Sequence, residues 1–213
     1  MYTINNKRYL SPFILDKLLI KNNLHRYTSI LGYSVENRPV LLSSFGFGKR
    51  KVLIWSQMHG NETTTTRSLI KLFSNLTLEN SFLLDHLTIK VIYQLNPDGA
   101  LKYSRFNANG IDLNRDAIDR TQPESKLLIA LYNDFKPHFC LNLHDQRSIY
   151  AAGDTNLPAM ISFLAPSYDE SKSINEFRQK AMTMIGSIYK GIKPKNNWSV
   201  GRYNDDFNIN CFG

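Results

Sequence analysis

The sequence predicts an α/β sandwich around a mixed or parallel sheet, and three observations carry that expectation. Short apolar runs rich in β-branched residues alternate with stretches of helical periodicity. Two of the runs, "KVLIWSQ" (51–57) and "LTIKVIYQL" (87–95), are nearly continuously apolar, as strands covered on both faces are. Chemically useful side chains gather where the runs end, and open α/β sheets bind ligands outside the carboxyl ends of their strands.

In chain order, "RYTSILGYS" (26–34) and "PVLLSSFG" (39–46) read as neighbouring strands joined by the turn-like "VENR". The run 51–57 is the first buried strand. After it, Thr63–Leu76 places Leu69, Ile70, Leu72, Phe73 and Leu76 at helical spacing. The run 87–95 is the second buried strand and closes on "NPDG" (96–99), read as a turn. "TQPESKLLIALYNDF" (121–135) has Pro and Glu in its first turn and reads as a helix. "PHFCLNLH" (137–144) is a strand that delivers His144 at its end. "AMISFLAP" (159–166) is a further strand, and "SINEFRQKAMTMIGSIYK" (173–190) an amphipathic helix.

The bulk properties narrow the classes. A chain of 213 residues, 42% hydrophobic, suits one sizeable core, so a single domain over 1–213 is expected. The charge of +8 comes from 26 basic against 18 acidic residues, but the basic ones are scattered. The one tight cluster, "GKRK" (48–51), reads as a solvated turn before a strand, so no nucleic-acid partner is expected. No window approaches the roughly 18 apolar residues of a membrane span, and "MYTINNKRYLSPF" has no apolar leader core, which predicts a soluble, cytoplasmic chain without a membrane partner. Cys140 and Cys211 are far apart and imply no disulfide framework; Cys140 reads as a small buried hydrophobe.

The joint "HGNE" (59–62) puts an imidazole and a carboxylate three residues apart between a strand and a helix. Alone, His59 would be a capping or core histidine and Glu62 a first-turn residue favoured by the helix dipole. A catalytic zinc site takes three protein ligands, and two histidines with a glutamate are one recognised set. His144 is the candidate third ligand, with Asn142 and Asp145 as polar neighbours. Between these strand ends, Arg105, Asn107, Asp112, Asn114 and Arg115 crowd five hydrogen-bonding groups into a short segment. The planar fork of an arginine suits a carboxylate.

"HGNE", then "NPDG", then "RFNANGIDLNR", then a strand-final "NLH" together resemble the zinc metallocarboxypeptidases, the funnelins or carboxypeptidase A-like enzymes. The lead-in "LGYSVENRPV" is similar to the family's opening hairpin, and the resemblance covers roughly residues 25–150. It implies a three-layer αβα sandwich with a central mixed, largely parallel sheet. It makes His59, Glu62 and His144 the ligands of one Zn2+ per chain. Asp112 matches the carboxylate that orients the first ligand histidine. Arg105 matches the arginine that polarises the scissile carbonyl, and Asn114 with Arg115 the pair that holds the substrate's terminal carboxylate. The implied reaction is attack of zinc-activated water on the last peptide bond of a peptide with a free C-terminal carboxylate.

The same resemblance implies a general-base glutamate on a late strand. No Thr-x-Glu strand occurs in "NNWSVGRYNDDFNINCFG", and the last glutamate, Glu176, lies in the amphipathic helix. The base and the final strands are therefore expected beyond Gly213, with metal binding outliving activity in this 213-residue form. Asp205 and Asp206 are shorter substitutes, more naturally helix caps. Tyr203 is a weak match to the loop tyrosine that closes over substrate. The alternatives are an aspartoacylase-like or succinylglutamate desuccinylase-like zinc amidohydrolase, and a zinc-bearing module that binds carboxylates without cleavage.

Overall fold

The computed structural model describes residues 8–78, 81–146, 149–167, 169–192 and 199–203. By internal contacts the chain divides into two compact units, Met1–Asp145 and Gln146–Gly213.

The first unit opens with helix α1 (Pro12–Lys21), which the sequence reading did not include. Its start signal is local: Ser11 accepts the N–H of Ile14, and Pro12 fills a position whose N–H would be unpaired anyway. Strands β1 (Thr28–Tyr33) and β2 (Pro39–Phe45) form the expected hairpin, and β3 spans Arg50–Ser56. Helix α2 (Thr64–Leu78) follows the HGNE joint, and the short helix α3 (Leu83–His86) leads into β4 (Leu87–Ile92). Helix α5 (Pro123–Phe135) precedes β5 (Phe139–Leu143).

The NPDG segment corrects the loop reading. It is the first turn of a helix, α4 (Pro97–Lys102), because Asn96 accepts the N–H of Gly99 at 2.8 Å and Pro97 sits at the first helical position. Left-handed Tyr103 ends it.

The five strands stand in the order β1-β2-β4-β3-β5. The β1/β2 and β2/β4 pairs are antiparallel, and β4/β3 and β3/β5 are parallel, giving a mixed central sheet. On it pack Leu15, Leu18 and Leu19 of α1 and Leu69, Ile70 and Phe73 of α2, against Phe45, Ile54, Ile89 and Val91 of the sheet. Phe45 and Phe73 stack with ring centres 4.4 Å apart. Each such side chain contributes roughly 1.5–3 kcal/mol by leaving water. Leu72, expected on this face, is 48% exposed on the other side of α2.

The parallel pairing does what matters for function. In register, Val52 faces Phe139 and Ser56 faces Leu143, so β3 and β5 end side by side. The residues that follow them, His59 and His144, emerge at one end of the sheet.

The second unit contains a parallel pair, β6 (Ile161–Phe163) and β7 (Val200–Arg202), and helix α6 (Glu176–Ile192). Glu176 opens α6 and pairs with Lys180 on an exposed surface. Asp205, Asp206 and Cys211 lie outside the described residues. Cys140 is half-buried on β5, where burial pushes its thiol up to about 11, so it is a poor nucleophile. Of the GKRK cluster, Gly48 and exposed Lys49 precede the strand as expected, but exposed Arg50 and half-buried Lys51 are already the first residues of β3 and not part of a turn. Among the described residues no helix is long and apolar enough to cross a membrane.

Candidate metal centre

The centre begins where β3 stops. Gln57 takes a left-handed conformation, φ 47°, which costs a non-glycine residue free energy and turns the chain out of the sheet. Its fully buried amide holds the turn. Nε2 donates to the carbonyls of Leu10 and Gly60 at 3.0 and 2.8 Å, and Oε1 accepts from Thr66 Oγ1 and Gln94 Nε2, both at 3.1 Å. His59 follows, 2% exposed, and the Glu62 N–H donates to its carbonyl at 3.0 Å.

Glu62 divides its carboxylate between two imidazoles. Oε1 lies 2.8 Å from His59 Nδ1 and Oε2 lies 2.8 Å from His144 Nδ1. The two rings are 4.8 Å apart. One nitrogen of each histidine and one oxygen of Glu62 thus lie within 4.8 Å of one another. Two imidazoles and a carboxylate are a donor set suited to zinc.

Asp112 stands behind this trio. Its Oδ1 is 3.0 Å from His59 Nε2, and its Oδ2 accepts from Arg105 Nε at 3.0 Å and Nη2 at 2.9 Å. Asp112 and Glu62 thus bracket the His59 ring, one carboxylate at each nitrogen; a neutral His59 that donates its Nε2–H to Asp112 offers the Nδ1 lone pair to a metal. Arg105 also brings Nη1 to 3.6 Å from Glu62 Oε1.

Charges follow these contacts. Burial works against an ionised Glu62, but its bonds to His144 and His59 outweigh that and bring it down to about 2. Burial also disfavours the Asp112 carboxylate, yet His59 and Arg105 hold it well below the usual range. His59 is raised: burial opposes the imidazolium, and the bonds to Asp112 and Glu62 overcome it. The electrostatics favour a cation among these groups.

The flanking residues divide into two groups. Asn114 is near the centre: its N–H donates to Asp112 Oδ1 at 2.9 Å and its Oδ1 accepts from Asn142 Nδ2 at 3.3 Å. Arg115 is exposed, and its Nη1 donates to the carbonyl of Asn114 at 3.3 Å. Asn107 bonds to none of His59, Glu62 and His144; its Nδ2 donates to Gln122 and to buried Glu124 at 2.9 and 3.3 Å. Tyr203 is 41% exposed, with its ring 6.3 Å from Tyr150 in the second unit.

Sequence reasoning missed Gln57 and the anchoring role of Asp98. Asp98 is fully buried and accepts from Ser34 Oγ at 2.8 Å, Glu36 N–H at 3.0 Å and Arg38 Nη1 at 2.6 Å, pinning the β1–β2 hairpin to α4. Ser34, Glu36 and Arg38 all belong to the quoted "SVENRP" stretch, so the signal was there as a set of polar residues with no assigned partner.

Comparison with known proteins decides the family. The zinc carboxypeptidase family model matches residues 15–149, a span that includes the whole donor set and Asp112. The chain belongs to the zinc carboxypeptidase family. Carboxypeptidase 2 of Trichophyton rubrum is 29% identical over 126 residues, 57% of this chain and 22% of that protein. Mouse cytosolic carboxypeptidase 6 is 28% identical over 151 residues, 61% of this chain and 28% of that protein. The chain therefore spans about a quarter of the length of these two relatives. The fold is likewise shared: a metallo-carboxypeptidase from Burkholderia cenocepacia superposes with a TM-score of 0.68 at 19% identity, covering 92% of this chain and 54% of that one. Bovine thrombin-activatable fibrinolysis inhibitor gives 0.69 at 16% identity, covering 96% and 80%. As a zinc family member, the chain has a donor set that fits the family's metal.

Proposed function

We propose that this protein is a zinc-dependent metallocarboxypeptidase that removes the last residue of peptides, with residues 1–213 forming part or all of one catalytic domain. The observation that carries the reading is the convergence of His59, Glu62 and His144 within 4.8 Å, backed by Asp112 and flanked by Arg105. His59 Nδ1, the Glu62 carboxylate and His144 Nδ1 hold one zinc. Bound there, zinc supplies a Lewis acid and lowers the pKa of a water ligand towards about 7.

The remaining residues bind and orient. Asp112 fixes the ring of His59 and the guanidinium of Arg105 together, so the cation meant for the scissile carbonyl oxygen is held at a set distance from the metal ligands. Asn142 donates to the Asn114 oxygen, which leaves the Asn114 NH2 to donate to a carboxylate. Arg115, exposed beside it, completes a clamp for the peptide's C-terminal carboxylate. A cytoplasmic location accords with the name of the mouse relative.

The test is zinc per chain by native mass spectrometry, for the parent and for His59→Ala, followed by release of C-terminal residues from blocked dipeptides. One zinc in the parent and none in the variant is expected. A parent that takes up no zinc at neutral pH would refute the ligand assignment. Deacylation of N-acyl amino acids without peptide trimming would make the protein an amidohydrolase, and peptide binding with no cleavage of either would make it a binding module.

A further inference from the structure

The threonine run that follows the metal joint, Thr63 to Thr66, is a weak choice for starting a helix on propensity alone. Each hydroxyl is committed to a different part of the fold. Thr63 Oγ1 donates to the carbonyl of Arg8, Thr64 Oγ1 to Asp145 Oδ2 at 2.9 Å, and Thr65 Oγ1 to the carbonyl of Leu143 at 3.5 Å. Thr66 Oγ1 lies 3.1 Å from Gln57 Oε1 and 3.0 Å from the carbonyl of Tyr93.

The first N–H groups of a helix lack partners within it, and a threonine at the cap ordinarily accepts one with its hydroxyl. Thr63 occupies that position, since its carbonyl accepts the first helical bond from the Arg67 N–H at 3.2 Å. Its hydroxyl is spent on Arg8. The Asp145 carboxylate takes over, accepting the N–H groups of Thr63 at 3.1 Å, Thr64 at 2.9 Å and Thr65 at 3.3 Å. The first turn of α2 holds no acidic residue, so the negative charge favoured at a helix N-terminus comes from the end of β5. The N–H of Asp145 in turn donates to Glu62 Oε2 at 3.3 Å.

We propose that Asp145 is a positioning residue for the metal site: by capping α2 from the exit of β5 it sets Glu62 against His144. This rests on the reading of His59, Glu62 and His144 as zinc ligands. Adjacent residues of one strand end grip both sides of the site, His144 directly and Asp145 through the backbone of the helix next to Glu62. Loss of the cap lets α2 and β5 drift, and a zinc ligand misplaced by a fraction of an ångström binds more weakly.

The experiment measures zinc affinity by competition with a chromogenic chelator, the visible spectrum of the cobalt-substituted protein, and urea unfolding of the zinc-free form. The proteins are the parent, Asp145→Ala, Asp145→Asn and Thr64→Val. Asp145→Ala is expected to lose about 10- to 100-fold in zinc affinity, as removal of such supporting groups does, and to alter the cobalt spectrum. Asp145→Asn keeps an acceptor oxygen and is expected to recover most of the affinity. Thr64→Val, which removes one bond to Asp145, is expected to show a smaller loss in the same direction. Should Asp145→Ala not fold, the other two variants decide. Parent-like zinc affinity and cobalt spectra in variants whose zinc-free forms are less stable would overturn the proposal, leaving Asp145 a cap for α2 alone. A parent that binds no zinc would overturn the ligand assignment beneath it.

Discussion

A methyl group on Gly60 would lie 2.0 Å from the carbonyl carbon of Gly99. The HGNE joint and the NPDG helix therefore meet backbone to backbone, and neither partner has a flexible end that could move aside. Gly60→Ala is expected to cost about 3 kcal/mol or more of stability, at the upper end of overpacking changes. Urea unfolding of the two proteins measures it, and a change below about 1 kcal/mol would mean that the contact is looser than this spacing implies.

Gln57 combines a left-handed backbone with a fully bonded amide, and two substitutions separate these features. Both Gln57→Ala and Gln57→Gly lose the buried network, so both are less stable than the parent by about 1–3 kcal/mol or more. Glycine adopts φ 47° without strain, so Gln57→Gly is expected to exceed Gln57→Ala by about 1 kcal/mol, the reverse of the usual preference for alanine. Denaturant midpoints of the two variants check the order.

Glu124 is a buried carboxylate outside the candidate metal centre, accepting from the Val35 N–H and Asn107 Nδ2, each at 3.3 Å. Burial pushes it above its ordinary value of 4.5, and the neighbouring charge of Asp98 adds to the rise. A carboxylate raised in the folded state binds its proton more tightly than the unfolded chain does. Stability from this group is therefore fully present below 4.5 and is lost as pH rises through the elevated value. The parent's advantage over Glu124→Gln should shrink from about pH 4 upwards. A flat difference across that range would show that Glu124 titrates normally.

Asp112 holds both His59 and Arg105, so Asp112→Asn tests the supporting carboxylate. A loss of about 10- to 100-fold in zinc affinity is expected, with the fold intact by circular dichroism. Unchanged affinity would restrict Asp112 to anchoring Arg105.

Arg115 bears on substrate. Under the proposed clamp, Arg115→Ala removes a charge-assisted bond to the terminal carboxylate worth about 1.5–3 kcal/mol, or roughly 10- to 100-fold in the Kd of a peptide with a free C-terminal carboxylate. Calorimetric titration of parent and variant with that peptide and with its C-terminal amide measures it. An equal, unchanged Kd for the free-carboxylate peptide would remove Arg115 from the clamp.

The mixed α/β fold was legible because β3 carries the unbroken apolar run Val52–Trp55, β4 is apolar but for Thr88 and Lys90, and α2 and α5 carry periodic leucines. His59, Glu62 and His144 were legible because each follows such a strand. What escaped were features defined by partners distant in sequence. Asp98 in a turn-forming tetrapeptide reads as punctuation until Ser34 and Arg38 are seen to converge on it. Gln57 looks like the last residue of a strand, and nothing in a glutamine announces a positive φ. Helix α1 was overlooked although Ser11–Pro12 marks its start, because its apolar residues Leu15, Leu18 and Leu19 precede the recognised motifs.

Under the proposed ligand set, the parallel pairing that sets Ser56 opposite Leu143 would let zinc favour one strand alignment during folding. A slip of one residue along β5 would turn its side chains to the opposite face and carry His144 away from Glu62. Only the chain paired as described brings all three donors together, so an ion held by them would stabilise that arrangement over the slipped ones. On that reading zinc would select among alignments that the run Val52–Trp55, apolar on both faces, distinguishes weakly by itself.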